Sequence, residues 1–219
     1  MNNNQPQNSK PDFLKEASLI AYLDLANMFH WQETLKWKFS IYSVIKQLLE
    51  IKAIKEVRVY YGLNTRELQK SENFHKYLRK TGAIVISKPV KWIRKEVNKD
   101  FFVKPATLGL FDGNAHTKLD ELILYLQQQG IVIEEPKCNF DVEMALDMLD
   151  AMDKVSGILL FSGDSDMKEP LERLRLKGKH IYVFGVRGQV ATELWKVLTK
   201  YEDFGRWYQG SKKRKTLGI

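Results

Sequence analysis

The run Gly157-Ile158-Leu159-Leu160-Phe161, followed without a break by Ser162-Gly163-Asp164-Ser165-Asp166, restricts this chain more than any other stretch. An uninterrupted apolar run of strand length predicts a strand buried on both faces, as in a parallel sheet covered by helices. A helical pattern follows, with Leu171, Leu174 and Leu176 expected to face inward. Pro170 falls in its first turn, where a missing N–H costs nothing. Asp164 and Asp166 are thus predicted at the carboxyl end of a strand, where open α/β sheets hold their ligands. Two such charges repel each other unless a cation or a partner neutralises them.

The rest of the chain repeats the strand–helix grammar. Ser18-Leu19-Ile20-Ala21-Tyr22-Leu23 reads as a first strand that runs directly into Asp24-Leu25-Ala26-Asn27. Asp24 taken alone is either a helix N-cap or a second rim carboxylate. A helix is expected over 40–51 with Ser40 as N-cap, a strand over 57–62, and a helix over 67–80 with Phe74, Tyr77 and Leu78 inward. Strands at 83–86, 131–133 and 180–185 and helices at 118–129 and 189–201 complete an alternating order that argues for parallel βαβ units. The pairs Tyr77-Leu78/Gly82/Pro89 and Tyr125-Leu126/Gly130/Pro136 echo each other, as a small duplication or, the reading preferred for so short a match, the same helix–Gly–strand grammar used twice.

A helix over Asp141–Asp153 carries an anomaly. At 100° per residue Val142, Met144, Ala145, Leu146, Met148, Leu149 and Met152 form one apolar arc, with Glu143, Asp147 and Asp150 opposite. Asp141 falls near the middle of that arc. It must cap the first turn or be neutralised by what it faces.

Charge adds a partner class. The chain has 219 residues, Lys+Arg 35 against Asp+Glu 27, and a net charge of +8, which favours an anionic partner such as nucleic acid and on composition alone fits a merely soluble basic protein equally well. Lys88, Lys91, Arg94, Lys95, Lys99 and Lys104 alternate with Trp92, Phe101 and Phe102, the mixture that suits single-stranded nucleic acid. A solvated loop with core-facing aromatics is the plainer reading of the same segment. The residues from Arg206 to 219 read as a flexible basic tail, and the first 16 as a disordered polar segment. A single cysteine, Cys138, excludes a disulfide framework and fits a reducing, cytoplasmic compartment. No apolar run reaches the length of a membrane span, so no membrane partner is expected. The four histidines show no ligand spacing and receive no role.

Asp24, Asp141, Asp164 and Asp166 converge if the first and central strands are neighbours. An all-oxygen set of that kind suits Mg²⁺ or Mn²⁺ rather than zinc. At this point the chain resembles the NYN domains of the PIN-like nuclease superfamily, and within them the LabA-like group. Leu23-Asp24-Leu25-Ala26-Asn27 matches the strand-one Asp-x-x-Asn, Lys137 to Asp147 the Lys-x-x-x-Asp-Val helix, and Ser162-Gly163-Asp164-Ser165-Asp166 the Ser-Gly-Asp-x-Asp signature. The three occur in order within residues 18–204.

The resemblance implies a three-layer α/β fold, PIN-like, with a central mainly parallel sheet flanked by helices over 17–205. It also implies a Mg²⁺- or Mn²⁺-dependent ribonuclease acting on single-stranded or unpaired RNA. Asp24, Asp141, Asp164 and Asp166 would hold the metal, with Asp147 as a further acid. Asn27 would orient the first carboxylate or touch substrate, and Lys88, Lys91, Trp92, Arg94 and Lys95 would bind RNA. Two departures stand out: Met167 replaces the usual Phe, and about 99–136 is longer than the family pattern, an insertion that would cover or extend the site. A catalytically weak RNA-binding adaptor is the alternative, and a homodimer or protein partner is left open. A haloacid-dehalogenase phosphatase is disfavoured because Ala26 stands where that chemistry needs a second acid.

Overall fold

The computed structural model describes residues 18–103, 110 and 112–217, with side chains as far as Gly210. The polar segment 1–16 and Lys104 lie outside the described residues. The chain forms two compact units, one from residues 1–88 and 139–219 and one from 89–138.

The larger unit is built on a six-stranded sheet in the order β3-β2-β1-β6-β7-β8. These are β1 (Leu19–Asp24), β2 (Ile54–Tyr60), β3 (Ile84–Ile86), β6 (Gly157–Phe161), β7 (His180–Gly185) and β8 (Lys200–Asp203), and every neighbouring pair is parallel. Five-residue β6 is buried throughout, as its continuous apolar run demands. Alternate residues of each strand serve opposite faces. Leu19, Ala21, Leu23, Val57, Val59, Leu159, Phe161, Tyr182 and Phe184 belong to one core cluster. It includes residues of α1 (Leu25–Leu35), α2 (Ile41–Leu49) and α7 (Phe204–Leu217). The intervening Ile20, Tyr22, Ile158, Leu160, Ile181 and Val183 are also buried, as are Met144 and Met148 of α5 (Asp141–Ala151) and Leu171 and Leu174 of α6 (Lys168–Leu176). Helices thus flank the sheet. Burial of each large apolar side chain contributes about 1.5–3 kcal/mol.

Local chemistry explains the boundaries. Ser40 accepts from the Ser43 N–H to open α2, and Gly82, at φ 96°, makes the left-handed turn between α3 (Leu68–Arg79) and β3. Gly178 at φ 74° does the same before β7.

Several expectations are corrected. No long helix occupies 189–201. A short 3-10 turn at Leu194–Lys196 leads into β8, whose approach is fixed by Thr199, with its N–H on the Ile181 carbonyl at 2.7 Å and its Oγ1 accepting from the Ile181 N–H at 2.9 Å. The basic C-terminal segment does not begin as a flexible tail at Arg206. Phe204, Trp207 and Tyr208 are buried in the core, Trp207 standing 5.3 Å from Phe184 and 6.0 Å from Phe161 between ring centroids, and the helix runs to Leu217. Leu176, expected inward, is 82% exposed because only Leu171 and Leu174 share the buried face of α6. On α3, His75 and Ser71 take the interior positions beside Leu78, while Tyr77 is exposed and stacks on Tyr42.

The smaller unit holds β4 (Lys91–Glu96), α4 (Gly113–Gln128) and β5 (Val132–Lys137). Here the expected parallel pairing fails: β5 pairs antiparallel with β4 in a separate two-stranded sheet. The register sets Arg94 opposite Glu134, a pair of opposite charges, and Lys91 opposite Lys137, a pair of like ones. Asp112 caps α4 by accepting from the Ala115 N–H at 2.7 Å, and the Gln127 amide donates to the Val97 carbonyl at 2.8 Å.

Candidate functional site

The carboxyl rim of the large sheet gathers the expected acids. β1 and β6 run side by side with Leu23 opposite Phe161, so Asp24 and the Ser162–Asp166 loop leave the sheet together. Both readings of Asp24 hold at once. Its Oδ1 accepts from the Asn27 N–H at 3.1 Å and caps α1, while its charge interacts with those of Asp141 and Asp164. Burial raises its pKa, the α1 N–H groups oppose that rise, and the two neighbouring carboxylates reinforce it.

Asp141 is the first residue of α5, whose N-cap position belongs to Phe140 and lacks a side-chain cap. Asn139 supplies the missing acceptor, its Oδ1 taking the Asp141 N–H at 2.7 Å. Burial again raises the Asp141 pKa, an Asn139 hydrogen bond lowers it, and Asp164, Asp166 and Glu143 raise it further. Asp164 caps the short 3-10 turn Ser165–Met167 by accepting from the Asp166 N–H at 3.0 Å, and its own N–H donates to Ser162 Oγ at 3.2 Å. Asp166 is exposed in that turn.

Glycine is required in the signature for a steric reason. A Cβ on Gly163 would lie 1.9 Å from the Gln189 carbonyl oxygen, where the loop after β7 crosses. The Ala191 N–H donates to the Gly163 carbonyl at 2.9 Å and holds the two loops together. Asn27 completes this clamp. Its Oδ1 accepts from the Gly163 N–H at 3.2 Å and from Trp31 Nε1 at 3.0 Å, so its carbonyl oxygen serves the scaffold rather than the substrate.

None of Asp24, Asp141, Asp164 and Asp166 forms an ion pair with a described Lys or Arg. Nearby cations are engaged by other acids. Lys168, two residues beyond Asp166, pairs with Glu169 and Glu172 at 2.9 and 3.5 Å. Lys88 pairs with Glu143, which lowers the Glu143 pKa, and lies 4.9 Å from the Phe140 ring. Among the described residues no three acidic or imidazole side chains converge to metal-ligand distance. Asp24 feels the charges of Asp141 and Asp164, and Asp141 those of Asp164 and Asp166.

Asp147 has partners of its own, and the fully solvated face expected for it is not what the structure shows. Tyr60 donates its hydroxyl to Asp147 Oδ2 at 2.5 Å, Arg58 approaches the same oxygen at 3.6 Å, and Tyr22 donates to the Asp147 carbonyl at 3.3 Å. Burial and the neighbouring carboxylate push the Tyr60 hydroxyl far above its ordinary pKa, so it is a permanent donor. The helical wheel misplaced Asp147 because Val142 and Leu146, counted as inward, are 69% and 56% exposed. The buried stripe is Met144, Met148 and Ala151, with Asp147 on its flank. Tyr60 and Arg58 were missed because a strand sequence does not announce which helix crosses it.

Of the expected RNA-binding residues, Arg94 pairs with Glu134 at 3.3 Å and Lys95 with Glu135. Lys91 is exposed and Trp92 half-buried.

Residues 112–204 match the NYN domain. The matched span contains Asp141, Asp147, Asp164 and Asp166, and Asp24 precedes it. The chain is similar to the low amplitude and bright protein LabA of Synechococcus elongatus, at 26% identity over 189 residues, covering 86% of this chain and 84% of that protein. The fold is shared with a crystal structure of a protein of unknown function from Vibrio parahaemolyticus. That likeness has a TM-score of 0.54 and 19% identity, over 88% of this chain and 94% of the other. No described helix is long and apolar enough to cross a membrane.

Proposed function

We propose that this protein is a Mg²⁺- or Mn²⁺-dependent ribonuclease that hydrolyses phosphodiester bonds in single-stranded or unpaired RNA. One observation carries the reading: four carboxylates share a rim, two have raised pKa values, and none pairs with a cation among the described residues. A divalent ion answers that imbalance. The donor set fits, being all oxygen, and the open spacing suits Mg²⁺, which keeps several waters and takes only one or two carboxylates directly. Asp24, Asp141 and Asp164 would hold the ion, with Asp166 completing the set. When bound, such an ion activates water and offsets charge on the leaving oxygen.

The rest of the chain supplies position. Asn27 and the Ala191 N–H fix the Gly163 turn that presents Asp164. Asn139 sets the first turn of α5, and the Tyr60–Asp147 bond fixes the middle of that helix, so Asp141 projects from a braced element. Lys91, Trp92, Arg94 and Lys95 of the smaller unit stay as proposed RNA contacts.

The test is cleavage of a mixed panel of single-stranded and hairpin RNAs with Mn²⁺, Mg²⁺ or EDTA, run beside Asp164→Asn. Cleavage that requires metal and disappears in the folded variant is expected. Metal-independent cleavage, or cleavage unchanged in Asp164→Asn, overturns the assignment. Tight, salt-sensitive binding without cleavage replaces it with the adaptor reading.

A further inference from the structure

An RNA strand approaching four carboxylates is repelled, so the rim needs a positive or hydrogen-bonding lip that the signature motifs do not contain. The loop after β7, residues 186–193, has the required placement. It is locked to the acidic turn through its backbone: the Ala191 N–H donates to the Gly163 carbonyl, and the Gln189 carbonyl oxygen occupies the place a Gly163 Cβ would need. Gly163 immediately precedes Asp164, so the loop stands at a fixed offset from the acidic group.

The loop is also shaped from within. The Gln189 N–H donates to the Val186 carbonyl at 2.9 Å across a turn in which Gly188 adopts φ 83°. Val190 folds back on Gly185, whose Cβ would meet Val190 Cγ2 at 2.3 Å. The tip of this braced turn, Arg187-Gly188-Gln189, is exposed. Lys88 and Lys168 are engaged by Glu143 and by Glu169 and Glu172, whereas Arg187 makes no ion pair with a described residue. Its charge is felt by Tyr201, whose hydroxyl donates to the Gly185 carbonyl at 3.0 Å and reaches Asp203 at 3.4 Å.

We infer that the 186–193 loop is the strand-binding lip of the acidic site. Arg187 contacts a backbone phosphate of the single-stranded RNA laid across Asp164, and the Gln189 side chain hydrogen-bonds the adjacent nucleotide. The inference rests on the ribonuclease reading for its substrate. Arg187 has the chemistry for it, a planar fork of donors that matches phosphate oxygens. A rigid lip costs little ordering on binding, which is why a braced turn serves better than a mobile basic arm.

The experiment measures equilibrium binding of a fluorescent single-stranded oligouridine by anisotropy, with the full chain in EDTA and in Mn²⁺, over a series of salt concentrations. Wild type is compared with Arg187→Ala, Arg187→Lys, Gln189→Ala and Asp164→Asn. Arg187→Ala is expected to weaken binding about fivefold to tenfold and to make the salt dependence shallower by about 0.7 in log–log slope, the loss of one phosphate contact on a single strand. Arg187→Lys keeps the salt slope and recovers part of the affinity, and the melting temperature of both variants matches wild type. Gln189→Ala lowers affinity without changing the slope. Wild-type affinity and slope in Arg187→Ala, or no RNA binding by wild type, overturns the inference. Loss of affinity in Arg187→Ala alongside a wild type that never cleaves leaves the lip standing and removes the ribonuclease reading instead.

Discussion

The carboxyl rim of the larger unit and the β4–β5 ladder of the smaller one are both dense in charge, and they handle it in opposite ways. On the ladder most charges meet a complement: Arg94 faces Glu134 and Lys95 pairs with Glu135, while Lys91 stands opposite Lys137; beside the ladder Lys99 pairs with Asp120 at 2.7 Å. On the rim Asp24, Asp141, Asp164 and Asp166 meet chiefly one another. The difference teaches that a run of charge in sequence has little meaning until its cross-strand partners are known. Compensated charge is surface chemistry, whereas like charge held together by the fold is a demand for a ligand.

The largest expected effect comes from breaking the rim's scaffold. Gly163→Ala forces a methyl group onto the Gln189 carbonyl and is expected to destabilise the protein by about 3 kcal/mol. Thermal unfolding checks it, and a variant melting with wild type would mean the two loops are not clamped.

Next, Asp147→Ala strands the Tyr60 hydroxyl and removes a partner of Arg58, costing about 2 kcal/mol in urea unfolding. It keeps the response to Mn²⁺, because Asp147 braces α5 rather than holding the ion. Loss of that response at full folding would return Asp147 to the metal site.

A smaller effect of opposite sign belongs to the rim carboxylates themselves. Folded-state pKa values of Asp24 and Asp141 lie above the ordinary 3.8, so ionising them opposes folding. Their contribution is most favourable below the unfolded pKa and declines as pH rises through the folded values. Asp24→Asn, which keeps an N-cap side chain, should therefore melt above wild type at pH 7 without metal and lose that advantage below pH 3.8. A melting temperature below wild type at pH 7 would contradict the repulsion. Smallest of all, Arg94→Ala on the exposed ladder should shift stability by no more than about 0.5 kcal/mol in the same unfolding measurement.

Much of this architecture was legible because strand chemistry is local. The apolar run 158–161 and the sequence 19–23 specify inner strands, and each ends in the carboxylate that the sheet then brings to one rim. What failed were features set by a distant partner. Residues 189–201 were expected as a helix, yet the open edge of β7 captures Lys200–Asp203 as a strand. Asp147 looked solvated until Tyr60, 87 residues away, claimed it. The acidic partners of the basic stretch at 88–95, Glu134, Glu135 and Glu143, were not legible because they lie far along the chain. Arg187 carries no motif; the role proposed for it depends on contacts of Gln189 and Ala191 in the same loop with Gly163, which no side-chain pattern encodes.

The central claim is that the rim is a cation site by charge imbalance, and Mn²⁺-dependent thermal unfolding tests it most directly. Wild type is expected to gain stability with added Mn²⁺, by about 2.7 kcal/mol at a hundredfold excess over Kd. Asp164→Asn should lose most of that gain, and Asp147→Ala should keep it. A wild type indifferent to Mn²⁺, or an Asp164→Asn that responds as wild type does, would contradict the account.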